Sequence, residues 1–244
     1  MVTARDISAY LDMLFPPSLS ESWDNDGLSV DPCPFADVKT AAVALDLTSE
    51  VLDWAESIGA GCVVTHHPLI FRPLSSLRAD DSVGKRVIRC IKSGIAAVSC
   101  HTRLDSAEGG VNDCLAAAAG ITGAFAFLPF GRVGDLPSPM PPAEFAALLE
   151  RALCAPVAFS GTRPVSRVAL VSGGGKDYVK EAFLTGADTY LTGEVNHSAA
   201  IDAAEYGINL FTATHHGTEA VVLPFIARKL SERFGELEVH IYGE

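Results

Sequence analysis

Residues 40–68 read TAAVALDLTSEVLDWAESIGAGCVVTHHP, and their spacing decides the fold class. The first eight are an almost unbroken apolar run, the composition of a strand buried on both faces. From Thr48 to Ile58 the apolar residues recur at helical intervals, with Val51, Leu52, Ala55 and Ile58 on one face and Thr48 or Ser49 as cap. Gly59-Ala60-Gly61 ends that helix, and Cys62 to Thr65 is the next strand. This is a βαβ unit, and in open α/β sheets sites form at the carboxyl ends of the strands. His66 and His67 stand at that end. Adjacent residues on a strand point to opposite faces, so two neighbouring histidines aim at one place only where the strand stops and the backbone turns. Pro68 enforces such an ending.

Outward from this unit the pattern continues. Val83, Val87, Ile88 and Ile91 line one face of a helix over residues 82–93, Gly94 ends it, and residues 95–100 form a strand whose exit is His101-Thr102-Arg103-Leu104-Asp105. Gly109-Gly110 precedes a further helix over 111–119. Upstream, Thr3 caps a helix that Pro16-Pro17 stops near Phe15. The turn Ser22-Trp23-Asp24-Asn25-Asp26-Gly27-Leu28 has two readings: a buried Trp beside a tight turn, or a polar turn that lines the site. The Pro- and Gly-rich stretch 124–142 is expected to lie at the boundary between a pair of α/β units, residues 1–128 and 129–244, with a short helix over 141–153.

The second half repeats the first. A strand (167–172), the turn Gly173-Gly174-Gly175, a helix (177–184), Gly186, a strand (189–192), a helix (198–206), Gly207 and a strand (208–213) follow in order. An offset of 127 sets Gly59 on Gly186 and His67 on Glu194; an offset of 114 sets His101 on His215 and Asp105 on Glu219. The expected architecture is therefore α/β, two similar units forming a pseudo-repeat and facing each other across one site. A final helix from Thr218 to Phe234, kinked at Pro224, and a strand over 238–242 close the chain.

Five of the seven histidines fall in three short pieces: His66-His67, His101, and His215-His216. Each piece follows a strand, and two of them place a carboxylate four residues on. Imidazole and carboxylate are the ligand set for zinc, iron, manganese or similar divalent ions. The expected ligands are His66, His67, Asp105, His215 and Glu219, arranged around two ions, because five ligands leave positions open for water. His101 is either a sixth ligand or a hydrogen-bonding partner of one. Glu194 and His197, after the strand equivalent to that of His66-His67, are candidates for proton transfer, with His101; the alternative is a turn carboxylate and a helix-capping histidine. His216 stands where it would reach substrate, and His240 is read as an ordinary strand residue. Gly173-Gly174-Gly175-Lys176 lacks the spacing of a nucleotide-binding loop and reads as a tight turn into a helix. Cys100 beside His101 lies in an apolar strand and reads as a buried thiol.

Composition narrows the class further. With 48% apolar residues the chain can fill a full core, and at a net charge of −12 it lacks the basic face of a nucleic-acid binder. The six cysteines show no Cys-x-x-Cys pair and read as reduced thiols. Arg5, Asp6 and Asp12 occupy the place of a signal's apolar stretch, and no apolar run approaches the ~20 residues of a membrane span. A cytoplasmic location without membrane contact is expected.

Taken together, these blocks resemble the NIF-three-like family, the YbgI-type proteins often labelled GTP cyclohydrolase I type 2 homologues. Trp23 to Leu28 resembles its Asn-x-Gly-Leu signature, Thr65 to Phe71 its His-His-Pro block, and His101 to Asp105 with Gly109 to Asp113 its His-Thr-x-x-Asp and Gly-Gly-x-Asn-Asp blocks. Gly186 to Asp188, Thr192 to Glu194 and His215 to Glu219 resemble its C-terminal blocks. The resemblance spans nearly the whole chain and implies a di-metal centre between two similar α/β domains, the same five ligands, and a toroidal hexamer. Thr214 departs from it, since the family usually has Gly there. Longer relatives carry an inserted middle domain, so this chain has the minimal form. The reading is a divalent-metal-dependent hydrolase of a small molecule, a nucleotide or related heterocycle suiting such a centre. The alternative is a non-catalytic metal-binding scaffold or regulatory protein.

Overall fold

The computed structural model describes residues 1–243. By contacts the chain divides into two compact units: Met1–Leu104 with the segment from Leu223 onward, and Asp105–Val222. The division falls at 104/105 and 222/223, whereas the sequence places it near 128.

The first unit opens with α1 (Ala4–Leu14), whose cap Thr3 exchanges hydrogen bonds with Asp6 in a capping box. Then come β1 (Gly27–Val30), β2 (Thr40–Ala44), α2 (Ser49–Ser57, capped by Thr48), β3 (Cys62–Thr65), α3 (Ser82–Ser93, closed by Gly94 in the left-handed region) and β4 (Ala96–Ser99). The short helix α4 (Thr102–Ser106) follows directly. The second unit contains α5 (Val111–Ala118), β5 (Thr122–Ala126), β6 (Arg132–Met140), α6 (Pro142–Leu153), β7 (Ala158–Ser160), β8 (Val165–Val171), α7 (Val179–Leu184), β9 (Thr189–Thr192), α8 (His197–Tyr206), β10 (Asn209–Thr212) and α9 (His215–Ala220). The chain returns to the first unit with α10 (Leu223–Arg233) and β11 (Glu238–Ile241).

Each unit is built on one sheet. In the first the order is β1-β4-β3-β2-β11, with β2, β3, β4 and β11 parallel and β1 antiparallel to β4. In the second it is β5-β6-β8-β9-β10-β7, with β8, β9 and β10 parallel and β7 antiparallel to β10. The repeat read from the sequence thus includes an antiparallel edge strand beside the third parallel strand, β1 in one unit and β7 in the other.

Both sheets are covered on two faces. In the first unit Ala42, Ala44, Val63 and Ala97 pack with α2 and α3 through Val51, Leu52, Val87 and Cys90. α1 and α10 lie against the strands and meet each other through Tyr10–Phe234 and Phe15–Phe225 ring contacts. In the second unit Val168, Leu170, Leu191 and Phe211 pack with α5 and α6, while Ala169, Val171, Tyr190 and Leu210 pack with α7 and α8. The two sets alternate along each strand, the period of a sheet buried on both sides.

Three expectations change. The stretch 124–142 is not a boundary between the units: its middle is β6, in register with β8 at both ends, and Pro137 and Pro139 sit in the irregularity between Asp135 and Met140. The expected kinked helix 218–234 is two helices, α9 and α10, with Pro224 in the first turn of α10, where its missing N–H costs nothing. Trp23 is not buried; it is 58% exposed.

Candidate metal centre

In the first unit the exits of all three central parallel strands converge. β2 runs out into Leu45 and Asp46, β3 into His66 and His67, and β4 into Cys100 and His101. The three imidazoles form one group, with ring centroids 4.8 Å (His66–His67), 5.3 Å (His66–His101) and 5.4 Å (His67–His101) apart. One ring nitrogen of each lies within 4.8 Å of those of the other two, a spacing that suits a shared ion.

The Nδ1 atoms fix how these rings face. His66 Nδ1 is 2.9 Å from the Cys100 carbonyl oxygen, which only accepts, so Nδ1 carries a proton and the neutral form of the ring has its lone pair on Nε2. His67 Nδ1 is 2.9 Å from Asp46 Oδ1, and His101 Nδ1 is 2.9 Å from Asp24 Oδ1. A carboxylate or carbonyl behind Nδ1 selects the tautomer that offers Nε2 and raises its basicity, the usual support of a ligating histidine.

Asp24 and Asp46 are the site residues that the sequence did not assign. Asp24 receives the His101 ring together with the Thr102 N–H (3.0 Å) and hydroxyl (2.6 Å). Burial works to raise the Asp24 carboxyl, but the hydrogen bonds from His101 and Thr102 outweigh it and hold it well below the usual carboxylate range. The turn 22–28 therefore backs the site, as one of its two readings had it. Asp26 accepts the His101 N–H at 3.1 Å and pairs with Arg103 Nε at 2.9 Å. Arg103 is 1% exposed and also reaches Asp12 and the carbonyls of Phe15 and Ser99. The one sign of Asp46 in the sequence is an acid closing an apolar strand.

Cys100 is not a nucleophile beside His101. Burial pushes its thiol up to about 12, and it is fully enclosed.

The second unit repeats the convergence with different donors. β8 runs into Ser172-Gly173, β9 into Gly193-Glu194, and β10 into Thr214-His215. Glu219, one turn along α9, brings Oε1 to 3.1 Å from His215 Nε2, while Glu194 Oε1 lies 3.7 Å from His215 Nδ1. Asp105 Oδ1 is 3.5 Å from the Ser172 hydroxyl. Asn112, fully buried, ties these together: its amide donates to the Asp105 carbonyl at 3.2 Å, and its Oδ1 accepts from the Ser172 N–H at 2.8 Å. The glycine loop serves this packing. A Cβ on Gly173 would stand 2.2 Å from Glu219 Oε1, and φ is +61° there, so both space and conformation require Gly.

Thr214 takes φ +58° and ψ 152°, a region almost reserved for glycine. Its hydroxyl accepts from the Gly217 N–H at 3.0 Å and caps α9, an offsetting gain for the strain. His197 opens α8 at the surface, and Asn196, not His197, caps that helix by accepting from Ala199. Among the described residues His197 makes no hydrogen bond or ion pair with the other candidates. His216 is exposed on α9, and His240 is exposed on β11.

The sequence profile of the Duf34/NIF3 family (NGG1p interacting factor 3) matches residues 2–243. The chain belongs to this family. A GTP cyclohydrolase 1 type 2 homolog of Clostridium perfringens is 31% identical over 240 residues, covering 94% of this chain and 91% of the relative. The Protein NIF3 homolog of Schizosaccharomyces pombe is 30% identical over 251 residues, 92% of this chain and 87% of the relative. Among solved structures, that of protein ybgI, of unknown function, shares the fold at a TM-score of 0.91 and 26% identity, covering 98% of this chain and 97% of that one. The His-His-Pro and His-x-x-x-acid blocks that suggest metal are thus those of a DUF34/NIF3 protein, and the His and Glu groups present suit an ion. Among the described residues no helix is long and apolar enough to cross a membrane.

Proposed function

We propose that this DUF34/NIF3 protein is a divalent-metal-dependent hydrolase of a small molecule, with His66, His67, Asp105, His215 and Glu219 as ligands of two ions. The reading rests on one observation above all: three imidazoles at adjacent strand exits, each with Nδ1 engaged from behind. Nothing in the core needs that arrangement, whereas a borderline-soft divalent ion does. His101 joins His66 and His67 as a donor.

Bound there, such an ion supplies a Lewis acid and a water of lowered pKa. The chain's own role is to hold donors and move protons. Asp24, Asp46 and the Cys100 carbonyl keep the three rings in one tautomer. Glu194, exposed and 3.7 Å from His215 Nδ1, is the proposed proton-transfer group on that side. His197, exposed at the start of α8 and making no hydrogen bond or ion pair with these groups among the described residues, is left outside the proposed proton path. A nucleotide or related heterocycle is the substrate class, as the cyclohydrolase name of the relatives suggests. The hexameric ring and the cytoplasmic location belong to the same proposal; light scattering of the purified protein tests the ring.

The function is tested by a hydrolysis screen over nucleotides and phosphoesters, on metal-loaded and chelator-treated protein, with Asp105→Ala and Glu219→Ala beside the wild type. Turnover that needs metal and disappears in both variants supports the hydrolase. Bound metal with no turnover on any substrate moves the assignment to the metal-binding scaffold.

A further inference from the structure

A cavity of about 460 Å³ opens beside His67 in the first unit. One wall is apolar, with Leu47, Leu69, Phe71 and Val83. Two guanidinium groups, Arg72 and Arg86, line it as well. The acids on its rim are committed elsewhere. Asp46 faces His67 Nδ1 at 2.9 Å, and Asp81 accepts the Val83 and Gly84 N–H groups as the cap of α3. The arginines differ. Arg86 is anchored, with Nε on the Ser82 carbonyl at 2.9 Å and Nη1 on the Leu47 carbonyl at 2.7 Å, and among the described residues its Nη2 has no partner. Arg72 is exposed and makes no hydrogen bond or ion pair among the described residues. In a chain of net charge −12, an unpaired arginine beside an anchored one marks a place for an anion.

Next to these charges stands an aromatic edge. Phe71 is 43% exposed and Trp23 is 58% exposed. Their rings meet edge to face at 5.9 Å, and His101 is 6.1 Å from Trp23 and 5.9 Å from Phe71. Two large aromatic rings held in solvent beside a histidine group cost hydration free energy and serve no core. Asn25 Nδ2 donates to the Ile70 carbonyl at 2.5 Å, which ties the Trp23 turn to the Phe71 loop and keeps the two rings together.

We infer that this pocket binds a planar, phosphorylated small molecule, its ring against Phe71, which Trp23 meets edge to face, and its phosphate on Arg72 and Arg86. The inference rests on the hydrolase reading only in making this ligand the substrate; the binding itself stands on the pocket. Planar rings gain from aromatic walls whatever their substituents, and guanidinium forks match phosphate oxygens. The apolar wall and the anchored Arg86 together exclude a free inorganic anion as the best occupant.

The test is a titration with adenosine 5′-monophosphate and with adenosine, read by tryptophan fluorescence. The full chain carrying Trp54→Phe is used, because Trp54 packs on Tyr242 and its removal leaves Trp23 the one indole of two. Both nucleoside forms are expected to quench Trp23, with the monophosphate bound at least about tenfold tighter. Arg72→Gln and Arg86→Gln are each expected to weaken the monophosphate by about tenfold and leave adenosine unchanged. Arg72 contacts nothing that folding needs, so its variant guards against a misfolded Arg86→Gln. Equal affinity for the two ligands, no quenching by either, or an Arg72→Gln protein that binds the monophosphate as well as its parent overturns the inference. Metal content of the same samples separates this outcome from failure of the metal reading, since the titration is run on stripped and loaded protein alike.

Discussion

The two units put the same three strand exits to different chemical use. In the first, the exits after β3 and β4 carry imidazoles, and each imidazole is backed: His66 by a carbonyl, His67 by Asp46, His101 by Asp24. In the second, the equivalent exits carry Glu194 and His215, whose Nδ1 is 3.7 Å from the Glu194 carboxylate and whose Nε2 is 3.1 Å from Glu219 Oε1. Close backbone packing adds precision there: Gly173 lies against Glu219, and a Cβ on Gly193 would meet the Gly173 and Thr214 carbonyls and the His215 Cα at 2.6–2.8 Å. A repeated scaffold therefore preserves where side chains emerge, while the means of aiming them is free to differ. The first unit aims its imidazoles with carboxylates and a carbonyl behind each ring, and the second adds close glycine packing to its own hydrogen bonds.

The comparison breaks most visibly at Arg103. Its guanidinium is buried and pairs with Asp12 and with Asp26, which is itself 7% exposed at the side chain. Arg103→Met leaves Asp26 uncompensated and is expected to cost about 3–5 kcal/mol in denaturant unfolding. Next in size, Asp24→Asn and Asp46→Asn should each weaken metal binding about 10- to 100-fold, measured by competition with a chromogenic chelator, because the backing carboxylate is lost. Glu194→Gln, 3.7 Å from its ring where Asp24 and Asp46 stand at 2.9 Å, should do less, and an equal loss would erase the contrast between the units. Gly173→Ala tests the steric half: it should lower stability by more than about 1 kcal/mol and metal affinity with it, since neither φ nor space admits the methyl.

Thr214→Gly sharpens the same point with the opposite sign. Strain in that region is worth about 1–3 kcal/mol, while replacing a threonine cap by glycine costs a few tenths and the freer unfolded chain somewhat more. A net stabilisation of up to about 1 kcal/mol is expected in the metal-free protein, and destabilisation would show that the cap outweighs the strain. The smallest effect lies away from the site. Glu56 on α2 accepts from Arg89 and Ser93 on α3, which hold its carboxyl at about 2 against an ordinary 4.5. A depressed acid contributes stability above 4.5 that is lost as pH falls toward 2. Glu56→Gln should flatten the profile of stability against pH in that window and leave its slope near neutrality unchanged, as read by urea unfolding at a series of pH values.

The two units were legible in unequal measure. The parallel strands and their helices follow from apolar runs and helical spacing, and the exits with histidine follow from those. β1 and β7 were not legible, being four and three residues long with no alternation to read. The stretch 124–142 misled because Pro and Gly mark boundaries and strand irregularities alike, and only the pairing of β6 with β5 and β8 tells them apart. The backing acids were hidden by distance: Asp24 is 77 residues from His101 and Asp46 is 21 from His67, and no local pattern links them. Glycine-loop packing was hidden for the same reason, since Gly173 is a turn in sequence and a neighbour of Glu219 only in the fold.

The measurement closest to the central claim is metal content by inductively coupled plasma mass spectrometry. It compares wild-type protein, purified without added metal and again after reconstitution, with His66→Ala, His101→Ala and Glu219→Ala. About two divalent ions per chain in the wild type, as in two-metal hydrolytic sites, with losses in each variant, is the predicted result. Protein that stays free of metal after reconstitution, or variants that load as fully as the wild type, would contradict the account.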